Sequence, residues 1–326
     1  MPQRIKILKK KLLHNNFVFV DGVSKSGKIV VSTIISSLKN CENQSYQDRF
    51  SDYLKFANLK LLDNDLAIST ILRDMQMLMI ENRLSRFLNF RKHDLSSVNN
   101  SFKKNDYYKN LKINDNEYEI EKIIKNLKRS KTLIPMVVDD FFPNCLKSFK
   151  YFCEFKKIIM LRNPIGIFYE YYNRNRIDKQ IKQHPWQNCF HYEKDNKRVP
   201  WYIVPRDIRK FHSANKIEKY LMSINSQYKP YFSDRIFKIQ NTKFIFIEDL
   251  WENPKFITNL IAKFLKTKET KFTKSILKKL DLPRLNINNN YEKQFYYLKN
   301  IMSNSEFKKL LDLENEYKKK KMVHGL

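Results

Sequence analysis

Gly22-Val23-Ser24-Lys25-Ser26-Gly27-Lys28 holds two of the four glycines in a chain of 326 residues, together with two lysines. Glycine reaches torsions and close approaches that a side chain forbids. The run follows the apolar stretch Phe17–Val20 and precedes Ile29, Val30, Thr33, Ile34 and Leu38, which share one face at helical spacing. A strand that turns sharply into a helix aims successive backbone N–H groups at one point, at the positive end of the helix dipole. The chemistry this suits is oxyanion binding, of phosphate or sulfate. Gly22, Gly27 and Lys28 match the GxxxxGK spacing of nucleotide phosphate loops, but Ile29 stands where those loops carry the Ser or Thr that ligates Mg²⁺. A plain strand-to-helix turn with a glycine at each bend is the alternative reading. Lys28 either clamps the bound oxyanion or points to solvent.

Arg162 ends the apolar run of KIIMLRNP, and its planar fork can grip two oxygens of one phosphate. Asp139-Asp140 close the run PMVVDDFFP. One of these carboxylates, its pKa raised in an apolar pocket lined by Phe141 and Phe142, could act as a general base. Adjacent strand residues face opposite ways, so only one is expected to reach a site; with equal weight, the pair caps the strand and binds loop amides. His184, Cys189 and His191 match no standard zinc-ligand spacing, and no metal is expected.

Positioning these groups calls for a sheet. Phe17–Val20, Thr132–Val138, Lys157–Leu161 and Lys243–Ile247 are predicted strands separated by helical patterns. Such alternation predicts an α/β fold with a central parallel sheet and crossover helices. Asn163-Pro164 and Asn253-Pro254, after the third and fourth strands, each offer an Asn cap with Pro at the first helical position. A single domain over 1–326 is expected, with a helical insertion at about 41–130 and a lid-like loop region at about 173–219.

The formal charge of +29 favours anionic ligands, and 42% hydrophobic with 14% aromatic residues describes a folded globular chain. The excess charge is spread along the chain and accompanies abundant Asn, Ile and Phe, which reads equally as a composition bias. It lacks the concentration of a nucleic-acid footprint, so nucleic acid is not an expected partner. Cys41, Cys145, Cys153 and Cys189 form no CxxC pair and read as reduced thiols. The basic start MPQRIKILKKKLL lacks a cleavage site, and no stretch approaches the roughly 20 apolar residues of a membrane span. A soluble, cytoplasmic protein is expected.

Three segments together resemble the PAPS-dependent sulfotransferase family, whose members use 3′-phosphoadenosine 5′-phosphosulfate (PAPS) and need no metal. Ser24-Lys25-Ser26-Gly27-Lys28 is similar to that family's 5′-phosphosulfate loop, typically a Lys-Ser-Gly-Thr-Thr run. KIIMLRNPIGIFYEYYNR is similar to its 3′-phosphate segment, and FIFIEDLWENPKFITNLIAKFL to its late strand and helix. The resemblance implies a phosphate-loop fold of three layers. It implies that Ser24, Lys25, Ser26, Gly27, Lys28 and Ile29 hold the phosphosulfate, with Lys25 stabilising the leaving phosphate. It implies Arg162 on the 3′-phosphate and Asp139 or Asp140 as the base. The implied activity is in-line sulfuryl transfer to a hydroxyl acceptor, whether carbohydrate, lipid or small molecule. Trp186, Tyr192, Arg198, Trp201 and Arg206 would then cover the donor or acceptor, a Trp or Tyr stacking on adenine.

The sequence departs from the family pattern twice. Lys28 stands where Thr is usual, and Glu170 where a Ser bonds the 3′-phosphate. Like charges about 4 Å apart repel by roughly 4 kcal/mol at an effective dielectric of about 20. Either Glu170 turns away to pair with Arg174, one helical turn on, or the 3′-phosphate is not bound there. Two rival readings are a phosphate-loop kinase using ATP with magnesium and a noncatalytic basic protein that binds polyanions.

Overall fold

Phe17–Asp21 (β1), FVFVD, is buried along its whole length, as an inner strand covered on both faces must be. The computed structural model describes residues 12–13, 15–113, 117–185, 189–284 and 286–325, so the basic segment 1–11 and Trp186 lie outside the described residues. The other strands are Ser45–Tyr46 (β2), Ile134–Val137 (β3), Lys156–Leu161 (β4), His191–Lys194 (β5), Lys197–Pro200 (β6) and Thr242–Phe246 (β7). Five of them form one sheet in the order β2-β3-β1-β4-β7, while β5 and β6 form a separate antiparallel hairpin. β1 runs parallel to β3 and β4, with Val20 opposite Val137 and Ile158, and β2 runs parallel to β3. The chain thus has the expected α/β architecture.

By its contacts the chain divides into two compact units. The first runs to Met160 and takes in Ile239–Ile245 and Asn253–Pro283; the second holds Leu161–Lys238, Phe246–Glu252 and the chain from Arg284. In the first unit, Lys28–Ser37 (α1) follows β1. Asp48–Asn58 (α2), Asn64–Arg83 (α3), Lys104–Asn110 (α4) and Glu117–Arg129 (α5) occupy the segment between β2 and β3. Phe141–Cys145 (α6) follows β3. Phe19 anchors an aromatic core, stacking on Phe141 at 5.0 Å and meeting Phe142, Phe152 and Phe155 at ring separations of 5.6, 6.0 and 5.6 Å. α1 buries far more than the predicted stripe, Ser32 and Ile35 included, while Ile29 is exposed. The reason is that α1 packs against Pro254–Leu265 and Lys271–Lys279 as well as the sheet, and Thr273 caps its end by donating to the Ser37 carbonyl at 2.9 Å.

In the second unit Pro164–Asn173 (α7) packs with the helices Lys216–Tyr228, Ile287–Ile301 and Asn304–His324. Residues 173–219, expected to be irregular, carry the hairpin, two short helices and their own apolar core of Val199, Tyr202, Ile203, Ile208 and Phe211. Tyr192 and Trp201 pack on that core, and the Tyr192 hydroxyl donates to the Ile203 carbonyl. Among the described residues no helix is long and apolar enough to cross a membrane.

Candidate active site

The glycine loop leaves β1 through three left-handed backbones, Gly22 at φ +143°, Lys25 at +70° and Gly27 at +96°. The turn closes where the Ser26 N–H donates to the Val23 carbonyl at 3.2 Å. A β-carbon on Gly22 would stand 2.3 Å from the Met160 carbonyl oxygen, which is how closely the loop lies against β4. α1 begins on Gly27 with no side-chain cap and no acid in its first turn. The N–H groups of Lys28, Ile29 and Val30 have no intrahelical acceptor, since the first turn of a helix leaves its donors unpaired. Lys25 is exposed and Ser24 half-buried at the loop's tip, and Ile29 offers no oxygen to a metal. Ser26 is fully buried with no partner for its hydroxyl. An uncapped helix start, an orphaned hydroxyl and a nearby ammonium suit an oxyanion such as phosphate or sulfate.

Lys28 is turned inward. Its amine, almost fully buried, donates to the Gly22 and Val23 carbonyls and ion-pairs with Asp139. Below it Asp21 is fully buried and accepts from the Gly22, Phe141 and Phe142 N–H groups at 2.7, 3.2 and 2.8 Å. Burial pushes the Asp21 carboxyl up to about 6, against the pull of those hydrogen bonds and of Lys28. Sequence reasoning passed over Asp21, whose signal is the single polar residue closing an apolar strand.

β3 ends at Val137, so both expected aspartates lie beyond it. Asp139, half-buried, accepts a hydrogen bond from Tyr46 besides its pairing with Lys28. Burial acts to raise its pKa, but the Lys28 charge and hydrogen bond, with the Tyr46 bond, outweigh it and hold Asp139 below the usual carboxylate range. Asp140 sits at φ +55°, buried, with one carboxylate oxygen unpartnered. Burial pushes it up to about 7, opposed by Lys55 and assisted by Asp139. Phe141 and Phe142 do not line an open pocket as expected; both are fully buried against Phe19, and enclosure rather than an acceptor wall raises Asp140.

In the second unit Arg162 directly follows β4, its N–H donating to the Tyr228 hydroxyl at 3.1 Å. Its guanidinium lies 3.6 Å from the Glu170 carboxylate and 5.3 Å from the centre of the Trp251 ring. Glu170 does meet Arg174, at 3.4 Å, but it holds Arg162 as well. Arg284 lies over Trp251 at 4.9 Å, an association between residues far apart in sequence. Asn163 caps α7 through its side chain, donates its amide to Glu314 at 2.8 Å and donates its own backbone N–H to the Glu248 carboxylate at 2.9 Å. Asn253 makes no such cap. His191 places a ring nitrogen 2.8 Å from the Cys189 carbonyl.

No protein-family profile and no curated protein matches the chain's sequence. Among solved structures it is similar to the sulfotransferase domain from the curacin biosynthetic pathway, at 10% identity over 78% of this chain and 75% of that one, with a TM-score of 0.37. The sulfotransferase domain of the Synechococcus PCC 7002 olefin synthase has 13% identity, coverage of 82% and 80%, and a TM-score of 0.38. A sulfotransferase from Alicyclobacillus acidocaldarius has 12% identity, coverage of 93% and 96%, and a TM-score of 0.36.

Proposed function

We propose that the chain transfers a sulfuryl group from PAPS to a hydroxyl-bearing acceptor. The observation that carries this reading is the glycine loop, whose uncapped helix start and tip lysine suit an anion while Ile29 replaces the hydroxyl a magnesium nucleotide requires. In the reaction the acceptor oxygen bonds to sulfur as the bond from sulfur to the bridging phosphate oxygen breaks. Negative charge gathers on that phosphate, where Lys25 and the first N–H groups of α1 counter it. Ser24, Ser26 and Gly27 shape the loop around the same group. Lys28 serves as the loop's internal brace through its two carbonyl bonds.

The acceptor's proton goes to Asp140, whose carboxyl near 7 and unpartnered oxygen are the properties of a general base. Asp139, held ionised by Lys28, fixes Tyr46 and the brace. A base must be deprotonated to work. Turnover is therefore expected to rise with pH and to level off above about 7, and Asp140→Asn to abolish both the activity and that limb. A pH–rate profile with no limb between about 6 and 8 would remove Asp140 from the role.

Arg162 takes the 3′-phosphate, which must displace Glu170 while Glu170 stays with Arg174. Removing that competing carboxylate should help the donor. Glu170→Gln is expected to tighten binding of adenosine 3′,5′-bisphosphate about 2- to 5-fold, the scale of a partly exposed charge pair; unchanged or weaker affinity would mean the phosphate is held elsewhere. The reading as a whole is tested by calorimetry of adenosine 3′,5′-bisphosphate against ADP and ATP, with and without magnesium. Tight, magnesium-independent binding of the bisphosphate is expected. Binding of ATP with magnesium but not of the bisphosphate would replace it with a kinase.

A further inference from the structure

Resting on the sulfuryl-transfer reading, we infer that Asp21 is a positioning residue: its buried carboxylate ties the turn that carries the base, Asp140, to the glycine loop that holds the leaving phosphate. Asp21 is the last residue of β1 and is fully buried. Its Oδ1 accepts the Gly22 N–H of the glycine loop at 2.7 Å and the Phe141 N–H at 3.2 Å, and its Oδ2 accepts the Phe142 N–H at 2.8 Å. The two phenylalanines directly follow Asp140. Asp140 is the N-cap of α6 but its own side chain makes no cap bond, so the first N–H groups of that helix need another acceptor. Asp21 supplies it from the neighbouring strand, one residue beyond the ladder bond in which the Val138 N–H donates to the Val20 carbonyl at 3.0 Å.

The tie has a counterpart on the other side of the base. Asp139 is ion-paired with Lys28, which also holds the Gly22 and Val23 carbonyls. Asp140 is thus fixed to the glycine loop from before, through Asp139 and Lys28, and from behind, through Asp21 and Gly22. In-line transfer depends on that spacing, because the base must meet the acceptor's proton while the loop meets the phosphate leaving sulfur, and a misplacement of about 1 Å can cost about 10²-fold in rate. Asp140 stands at φ +55°, a conformation that a residue with a side chain keeps where its surroundings fix it. The hydrogen bonds select a carboxylate. Aspartate accepts on both oxygens, whereas asparagine would turn a donor amide toward a backbone N–H. Ionisable groups facing the two carboxyls are Lys28 on α1, Lys55 on α2, Asp139 and, on α6, Cys145.

The test compares the full chain with its Asp21→Asn variant by amide hydrogen exchange and by NMR of the aspartate carboxyl carbons, the Asp140 signal being the one that Asp140→Asn removes. Exchange at Phe141 and Phe142 is expected to quicken about tenfold or more while Phe19 and Val20 in β1 keep their protection. The Asp140 midpoint is expected to fall from about 7, because the loss of the Asp21 charge and the entry of water at a loosened turn both favour the ionised carboxyl. Sulfuryl transfer should drop about 10- to 100-fold, with a much smaller change in the affinity for adenosine 3′,5′-bisphosphate. A lower midpoint with unaltered exchange would mean that Asp21 acts on Asp140 by charge alone, and faster exchange throughout β1 with an unmoved midpoint that it only stabilises the fold; either result overturns the inference. If Asp21→Asn does not fold, the parent chain decides: the Gly22, Phe141 and Phe142 amide signals must shift together as Asp21 takes its proton at about 6, and separate midpoints overturn the inference. A parent that binds no bisphosphate sinks the sulfuryl-transfer reading instead, while exchange and titration still judge the tie between the turn and the loop.

Discussion

Lys25→Ala is expected to lower sulfuryl-transfer turnover about 10²- to 10³-fold, the usual cost of removing one preorganised group that stabilises transition-state charge, with a smaller loss of thermal stability than Lys28→Ala. The two halves of that statement have separate origins. Lys25 is exposed at the loop's tip, and alanine keeps the β-carbon, so the strain of φ +70° is the same in both chains and little packing is lost. The ammonium matters most when the sulfur–oxygen bond breaks and the phosphate gains charge, so the loss should fall on turnover and much less on the affinity for adenosine 3′,5′-bisphosphate. Lys28→Ala should behave in the opposite way, because it strips a buried brace from two loop carbonyls and leaves Asp139 without its ion pair. Single-turnover rates, bisphosphate affinity and melting curves on the two variants decide the matter. If Lys25→Ala loses less than tenfold in turnover, or melts as early as Lys28→Ala, the exposed lysine has no work at the leaving phosphate.

That division between the two lysines was only half legible in the sequence. The loop announced itself because glycine is scarce in this chain, and an all-apolar run before it marked an inner strand. Which lysine faces outward depends on Asp139, more than a hundred residues later, and on backbone torsions that no residue type reports. β2 was invisible for a simpler reason, since two residues are too few to display a period. With it went Tyr46, whose hydroxyl donates to Asp139. Asn163-Pro164 and Asn253-Pro254 look alike locally, yet only the first caps its helix. A helix at Ile247–Glu252 immediately precedes Asn253 and holds it at φ −126° and ψ 59°, whereas Asn163 leaves a strand. Tyr192 and Trp201 carried the same ambiguity, as aromatics among basic residues suit either a ligand cover or the core of a small hairpin, and here they pack on that core.

Gly22→Ala is expected to cost about 2–5 kcal/mol of folding stability, a large share of the roughly 5–15 kcal/mol that holds a domain together. Two penalties combine. A φ of +143° is open to glycine and strained for any residue with a β-carbon, and that carbon would lie 2.3 Å from the Met160 carbonyl oxygen. The second contact at 2.8 Å, to Ser26 Oγ, is the end of a side chain and can rotate away, but the Met160 oxygen belongs to the backbone of β4. Relieving it means parting β1 from β4 where Asp21 stands opposite Ile159, and the Gly22 N–H would be drawn from the Asp21 carboxylate it donates to at 2.7 Å. Ser26→Ala should therefore fail to rescue Gly22→Ala in denaturant unfolding. A Gly22→Ala chain within 1 kcal/mol of the parent, or one restored by Ser26→Ala, would show that the loop does not lie tight against β4, and with it would go the close-held backbone on which anion binding at α1 depends.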